Sequence, residues 1–287
     1  MTKVVDCQST LIANFGMPVW ENPTEFMMEA VFKHEGMKYR YISTEVPADK
    51  LEAAFEGVKA MGYKGFNCTL PHKQKIIPLL DGLGESAELM GTVNCVVERN
   101  GQYIGENTDG KGYTESLKEI TEIAGKTLLI LGAGGAARAI AVECALENAA
   151  KIIIVNRTPS SGQELAELVD EKTGASGEFI PLEGELKIPE GVDIVINATN
   201  IGLYPDTTKV PIDMTTLKPN MVVSDVIPNP PQTPFIQKAA AQGCTTIDGL
   251  GMLVNQGKIA IKYWSGKEVS AQVMRQSLLD LFSKSIW

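Results

Sequence analysis

Residues 126–138 read Lys-Thr-Leu-Leu-Ile-Leu-Gly-Ala-Gly-Gly-Ala-Ala-Arg: an aliphatic run enters a glycine turn and leaves it as an alanine-rich helix. A G-x-G-x-x-A string in that context is a dinucleotide-binding signal. Backbone N–H groups left unpaired at the start of the helix meet a pyrophosphate. Gly132 permits the tight turn, Gly134 lets the backbone approach the phosphates, and Ala137 keeps helix and strand close. Ala133, Gly135 and Ala136 complete the turn. The next aliphatic run ends in Asn156-Arg157-Thr158. An Asp or Glu there would accept hydrogen bonds from the ribose hydroxyls of NAD. Arg157 instead offers a guanidinium fork to a 2′-phosphate, with Asn156 and Thr158 adding neutral hydrogen bonds. NADP is therefore the favoured cofactor and NAD the alternative. Farther on, Asn197-Ala198-Thr199-Asn200 closes another strand with small polar residues on the carboxyl edge, where such sheets bind ligands.

A second group of residues suits proton transfer. Asn67-Cys-Thr69-Leu-Pro71-His-Lys73 runs from a strand into a helix that Pro71 can start. Lys73 falls in the first turn, where the positive end of the helix dipole works against its charge. Asn107-Thr-Asp109-Gly110 precedes a further helix, with Asp109 suited to cap it. A lysine and a carboxylate can together remove a hydroxyl proton as hydride leaves for a nicotinamide, without a histidine. His34 and His72 are the only histidines, and no cysteines stand at zinc-ligand spacing, so no metal is expected.

The elements that carry these residues fall into two rhythms. Up to about residue 109, strands are expected at Leu11–Gly16, Lys38–Thr44 and Lys64–Thr69. Helices are expected at Pro23–Gly36, Ala48–Met61 and Pro71–Leu80. Thr92–Arg99 and Gln102–Glu106 form a hairpin closed by Asn100-Gly101. From Lys126 onward, strands at Thr127–Leu131, Lys151–Val155, Asp193–Ala198 and Met221–Val226 alternate with helices such as Ala136–Asn148 and Ser161–Thr173. That alternation predicts a parallel, doubly wound sheet. The segment from Val254 to Trp287 is helical. The expected fold class is α/β, an N-terminal α/β domain followed by a Rossmann-type domain.

The 287 residues favour two domains, and 44% hydrophobic with 21% charged content is that of a globular protein. A formal charge of −9, from 26 basic and 35 acidic side chains, argues against nucleic acid or an anionic membrane as partner. Cys7, Cys68, Cys95, Cys144 and Cys244 are scattered, which fits reduced thiols in a cytoplasmic protein. No apolar run is long enough to span a bilayer, and no signal core is evident at the N-terminus.

Taken together, Asn67-x-Thr69-x-Pro71-x-Lys73, Gly91-Thr-Val-Asn94, Asn107-Thr-Asp109-Gly110, the Gly132 turn, Asn156-Arg157-Thr158, Asn197-Ala-Thr199 and Gly249-x-Gly251-Met252-Leu253-Val254-x-Gln256 resemble the shikimate/quinate dehydrogenase family. The resemblance covers nearly the whole chain. It implies a substrate domain of residues 1–109 and 254–287, with the C-terminal helices returning to it, and an NAD(P)-binding domain of residues 110–253. It implies Lys73 and Asp109 as the catalytic pair. Thr69, Asn94 and Gln256 would hold ring hydroxyls of a polyhydroxylated cyclohexene or cyclohexane carboxylate. Ala198, Thr199, Asn200, Val226, Gly249 and Met252 would complete the cofactor site. The partner is then a small molecule, and the chain a monomer or homodimer.

The chain departs from the family pattern where His-Ser-x-Ser-Pro is usual. It has Glu21-Asn22-Pro23-Thr24-Glu25, in which Asn22 and Thr24 can still hold a carboxylate but Glu21 and Glu25 would disfavour one unless they point away. Pro228 replaces a tyrosine, and Ser161 a basic residue. Two substrate readings follow: shikimate or quinate, or a related cyclic polyol lacking the carboxylate or bearing an amine. A non-catalytic NADP(H)/metabolite sensor is the reading from another class.

Overall fold

The computed structural model describes residues 8–203 and 208–284, so Cys7 lies outside the described residues. The chain divides into two compact units, one comprising residues up to Thr108 with Gly257–Leu279, the other Asp109–Gln256 with residues from Asp280.

The first unit opens with β1 (Thr10–Gly16), α1 (Thr24–His34), β2 (Tyr39–Glu45), α2 (Leu51–Met61), β3 (Gly65–Cys68) and α3 (His72–Lys75). Then come β4 (Gly82–Leu83), α4 (Glu85–Met90), β5 (Cys95–Arg99) and β6 (Gln102–Glu106). The strands form one mixed sheet in the order β2-β1-β3-β5-β6-β4. Asn100 and Gly101 both take positive φ (55° and 84°), the conformation of a two-residue hairpin between β5 and β6. The edge strand β2 is protected by α1. The Tyr41 N–H donates to Glu29 Oε1 (2.6 Å) and the Ser43 N–H to Glu25 Oε2 (2.7 Å). Carboxylates thus occupy the donors that an unpaired edge would offer to another chain.

The helix expected over Pro71–Leu80 is not continuous. It is a four-residue turn, His72–Lys75, followed by a 3₁₀ turn at Ile77–Leu79. Pro78 has no N–H to continue the ladder. So short a helix has little macrodipole, and the dipole argument for Lys73 loses its basis.

The second unit contains α5 (Thr108–Lys118) from its second residue onward, β7 (Thr127–Leu131), α6 (Gly135–Leu146), β8 (Lys151–Asn156), α7 (Pro159–Lys172), β9 (Ser176–Pro181), β10 (Ile194–Asn197), β11 (Val222–Asp225), α8 (Pro234–Ala241) and β12 (Thr245–Ile247). Its strands form a wholly parallel sheet in the order β12-β11-β10-β7-β8-β9. Alternate residues show why it is covered on both faces. Leu128, Ile130, Ile152, Ile154 and Ile196 join one core with Ile140 and Cys144 of α6 and Leu165 of α7. Leu129, Leu131, Ile153, Val155 and Val195 join the other, with Phe235 and Ile236 of α8. A continuous apolar run is what burial on both faces requires. Each buried Leu or Ile contributes about 1.5–3 kcal/mol of transfer free energy. The chain ends in α9 (Gly249–Ser265) and α10 (Ala271–Lys284). Among the described residues no helix is long and apolar enough to cross a membrane.

Candidate active site

The parallel sheet delivers its strand ends to one edge. At the end of β7 the Gly132 backbone turns with φ 110°, and its N–H donates to Val155 O (2.8 Å). A Cβ at Gly132 would lie 3.0 Å from Ala198 O, so the turn fits tightly against the end of β10. Gly134 and Gly135 differ: a Cβ at either would meet nothing within 4 Å. Gly134 is the N-cap of α6 and carries no side chain to occupy the first N–H groups of the helix. Those donors open onto a groove of about 260 Å³. Gly132, Ala133, Gly134, Asn156, Arg157, Ala198, Thr199 and Asn200 line it, all expected from the sequence. Leu131, Val155, Leu182 and Ile201 also line it and were not expected. Leu182 follows β9, a strand with a glycine and a proline that gives no aliphatic run. The free helix donors, the room above Gly134 and the exposed Arg157 fit the diphosphate and 2′-phosphate of NADP.

Other expected cofactor residues stand outside that lining. Gly135 is exposed and Ala136 half-buried at the start of α6. The Thr158 carbonyl accepts from Asn156 Nδ2 (3.0 Å) and Ser161 Oγ (3.3 Å), which shapes the turn into α7. Gly249 packs against the backbone of Val226 and Ile227, where a Cβ would not fit. Met252 packs against the core of the second unit. Gln256 is buried in the same unit, its Nε2 donating to Leu253 O (3.1 Å).

A buried polar pair, whose hydrogen bond the sequence does not show, ties the groove wall together. Asn197 and Asp225 are 0% and 1% exposed, and Asn197 Nδ2 donates to Asp225 Oδ1 (3.0 Å). Burial pushes the Asp225 carboxyl up to about 6, against hydrogen bonds from Thr233, Ile227 and Asn197 that favour its charged form.

The first unit carries Lys73 on a turn braced from several sides. Thr69 N donates to Phe15 O (2.8 Å), Met17 N to Leu70 O (2.8 Å), and Val93 N to Lys73 O (2.8 Å). His72 is fully buried and its Nε2 donates to Val46 O (2.8 Å). Desolvation lowers its pKa, which suits a neutral structural ring. Burial pushes the Cys68 thiol up, and the ammonium of Lys73 pulls it down only partly. Buried and held as the neutral thiol, Cys68 is poorly placed to act as a nucleophile.

Asn94 does more framework work than the sequence suggested. Its Oδ1 accepts from Thr108 N (2.7 Å) and its Nδ2 donates to Thr108 Oγ1 (3.0 Å). Its carbonyl accepts from Asn67 Nδ2 (2.8 Å) and Cys68 N (2.9 Å). Because α5 begins at Thr108, Asp109 lies in the first helical turn rather than at the cap.

The departing segment is resolved in the same way. Glu21 is exposed, and the Glu25 carboxylate is turned to Ser43 N–H. Asn22 Oδ1 accepts from Thr24 N (3.0 Å), and Thr24 is buried. One Glu25 carboxylate oxygen thus serves the edge of β2. Among the described residues no group of three or more His, Cys, Asp or Glu is placed to hold a metal ion.

Residues 15–96 match the shikimate dehydrogenase substrate-binding domain, residues 115–223 the shikimate/quinate 5-dehydrogenase domain, and residues 249–279 the shikimate 5′-dehydrogenase C-terminal domain. A shikimate dehydrogenase (NADP(+)) of Alkaliphilus metalliredigens is 40% identical over 278 residues, covering 94% of this chain and 96% of the relative. The chain belongs to the shikimate/quinate dehydrogenase family. With that family it is an NAD(P)-dependent dehydrogenase acting on a CH–OH group. Two solved structures within reach of the family fold are also similar. A shikimate dehydrogenase in complex with NADP+ is 38% identical, with a TM-score of 0.89 and coverage of 97% of this chain and 98% of the other. The ligand-free 5-ketofructose reductase of Gluconobacter sp. strain CHM43 is 51% identical, with a TM-score of 0.95 and coverage of 96% and 100%.

Proposed function

We propose that this chain interconverts a secondary ring alcohol and its ketone on shikimate, quinate or a close polyhydroxylated analogue, with NADP favoured over NAD. The observation that carries this reading is the family match across both parts of the chain, with Lys73 and the Gly132 turn inside the matched segments. The nicotinamide, when bound, accepts or supplies the hydride. Lys73 takes the hydroxyl proton in oxidation and returns it in reduction, and Asp109 orients and stabilises the ammonium. Asn22, Thr24, Thr69, Asn94 and Gln256 are proposed to hold the substrate. The chain is proposed to act in the cytoplasm as a monomer or homodimer.

A second substrate reading has its own support. The reductase of Gluconobacter is named for 5-ketofructose, a neutral polyhydroxylated ketone, and is 51% identical to this chain. Asn22-Pro23-Thr24 also stands where family members usually carry a pair of serines for a carboxylate. Steady-state assays with shikimate, quinate and, in the reductive direction, 5-ketofructose, each with both nicotinamide cofactors, separate the readings. Turnover of either acid supports the first, and turnover of the neutral ketone alone supports the second. Binding of NADP+ with no turnover of any of them leaves a sensor.

The cofactor assignment makes its own prediction. Arg157→Ala is expected to weaken NADP+ about tenfold, the scale of one exposed charge-assisted hydrogen bond, and to change NAD+ by less than about twofold. Titration calorimetry with both dinucleotides measures this, and equal losses would remove Arg157 from the 2′-phosphate site.

A further inference from the structure

We propose that Asn197 and Asp225 form a buried positioning hub that fixes the wall of the dinucleotide groove serving the nicotinamide half of the cofactor. The proposal rests on the dinucleotide-binding reading given above. Asn197 uses both ends of its amide. Its Oδ1 accepts from Thr199 N (3.3 Å) and Thr199 Oγ1 (2.7 Å), while its Nδ2 donates to Ile201 O (3.2 Å) and Asp225 Oδ1 (3.0 Å). Thr199 Oγ1 accepts in turn from Ile201 N (3.1 Å). The loop 198–201, which lines the groove, is therefore folded around one side chain.

Asp225 extends the hub to the next strand. Its Oδ1 also accepts from Ile227 N (3.2 Å), and its Oδ2 from Thr233 Oγ1 (2.7 Å). The same Thr233 hydroxyl accepts from Ile236 N (3.4 Å) at the start of α8. One carboxylate thus holds the ends of β10 and β11 and the first turn of α8. A residue needed only to fill space here would be apolar, because a buried carboxylate has to recover its desolvation through such bonds. The sheet order places β10 and β11 beyond β7, in the half of a doubly wound fold that takes the second mononucleotide. Arg157 and Asn156, at the end of β8, belong to the other half.

That division supplies a test that separates positioning from general loss of structure. NADP+ spans both halves of the groove, whereas adenosine 2′,5′-bisphosphate occupies only the adenosine half. Calorimetric titration of the full-length chain is expected to show Asn197→Ala and Asp225→Ala weakening NADP+ about tenfold. The bisphosphate should change by no more than about twofold. Asp225→Asn keeps an acceptor for Asn197 and Ile227 and gives Thr233 a donor, so it is expected to recover most of the NADP+ affinity. Should Asp225→Ala fail to fold, Asn197→Ala carries the comparison. Equal weakening of both ligands, unchanged NADP+ binding, or an Asp225→Asn variant as weak as Asp225→Ala would each overturn the hub. A wild-type chain that binds neither ligand would instead remove the dinucleotide reading itself.

Discussion

Lys73→Ala is expected to lower turnover by about 10²–10⁴-fold, the range typical of a lost general acid/base, with NADP+ affinity changed by no more than about twofold. The expectation is sharp because the backbone of this turn has hydrogen bonds of its own. The Lys73 carbonyl is held by Val93 N–H at 2.8 Å, and the preceding His72 is anchored to Val46 O at 2.8 Å. Truncating the side chain therefore removes an ammonium and leaves the loop that presents it. The dinucleotide groove is built wholly from residues of the second unit, so its affinity has no reason to follow. Single-turnover kinetics at saturating cofactor, with calorimetry on the same protein, separate the effects. Unchanged turnover alongside lost cofactor binding would refute the assignment of Lys73 to proton transfer.

What the sequence made legible, and what it hid, follows from how far apart the interacting residues lie. The run Thr127–Leu131 was readable as a strand because both faces of a central parallel strand are buried, so its pattern is continuous. The edge strands Ser176–Pro181 and Thr245–Ile247 have one neighbour each and no such run, and they went unread. The Gly132 turn was legible because its chemistry is local: glycines, free N–H groups and a helix start within a few residues. The hydrogen bond between Asn197 and Asp225 was not, because 28 positions separate the two residues. Glu25 shows the same limit from the other side. Its type marked a carboxylate beside Asn22 and Thr24, but its bond to the Ser43 N–H, 18 positions away, could not be read locally. Local pattern therefore singled out the glycine turn and Lys73 as candidates, while the bracing that gives them geometry is made of long-range polar contacts.

The glycine turn offers the second large effect. Gly134→Val is expected to weaken NADP+ at least a hundredfold, about 2.8 kcal/mol at 1.4 kcal/mol per decade, in a protein that still folds. The two parts of this expectation have different causes. Gly134 has φ −82° and ψ −171°, an extended conformation open to any residue. A Cβ there meets no protein atom within 4 Å, so the first atom of a side chain finds open space. Gly134 contributes no side-chain cap to α6, so the helix loses no such bond on substitution. The unfolded state, meanwhile, loses some of glycine's conformational freedom, worth about 0.4–1 kcal/mol in favour of the fold. The fold itself does not require a glycine here, which leaves the space above Gly134 open to a close-approaching group. In the proposed complex that is the pyrophosphate, and a valine side chain would stand between it and the N–H groups of α6. Thermal unfolding and NADP+ titration of the same variant test both halves. A variant that keeps its melting temperature and also binds NADP+ as the wild type does would show that the phosphates do not lie over this turn.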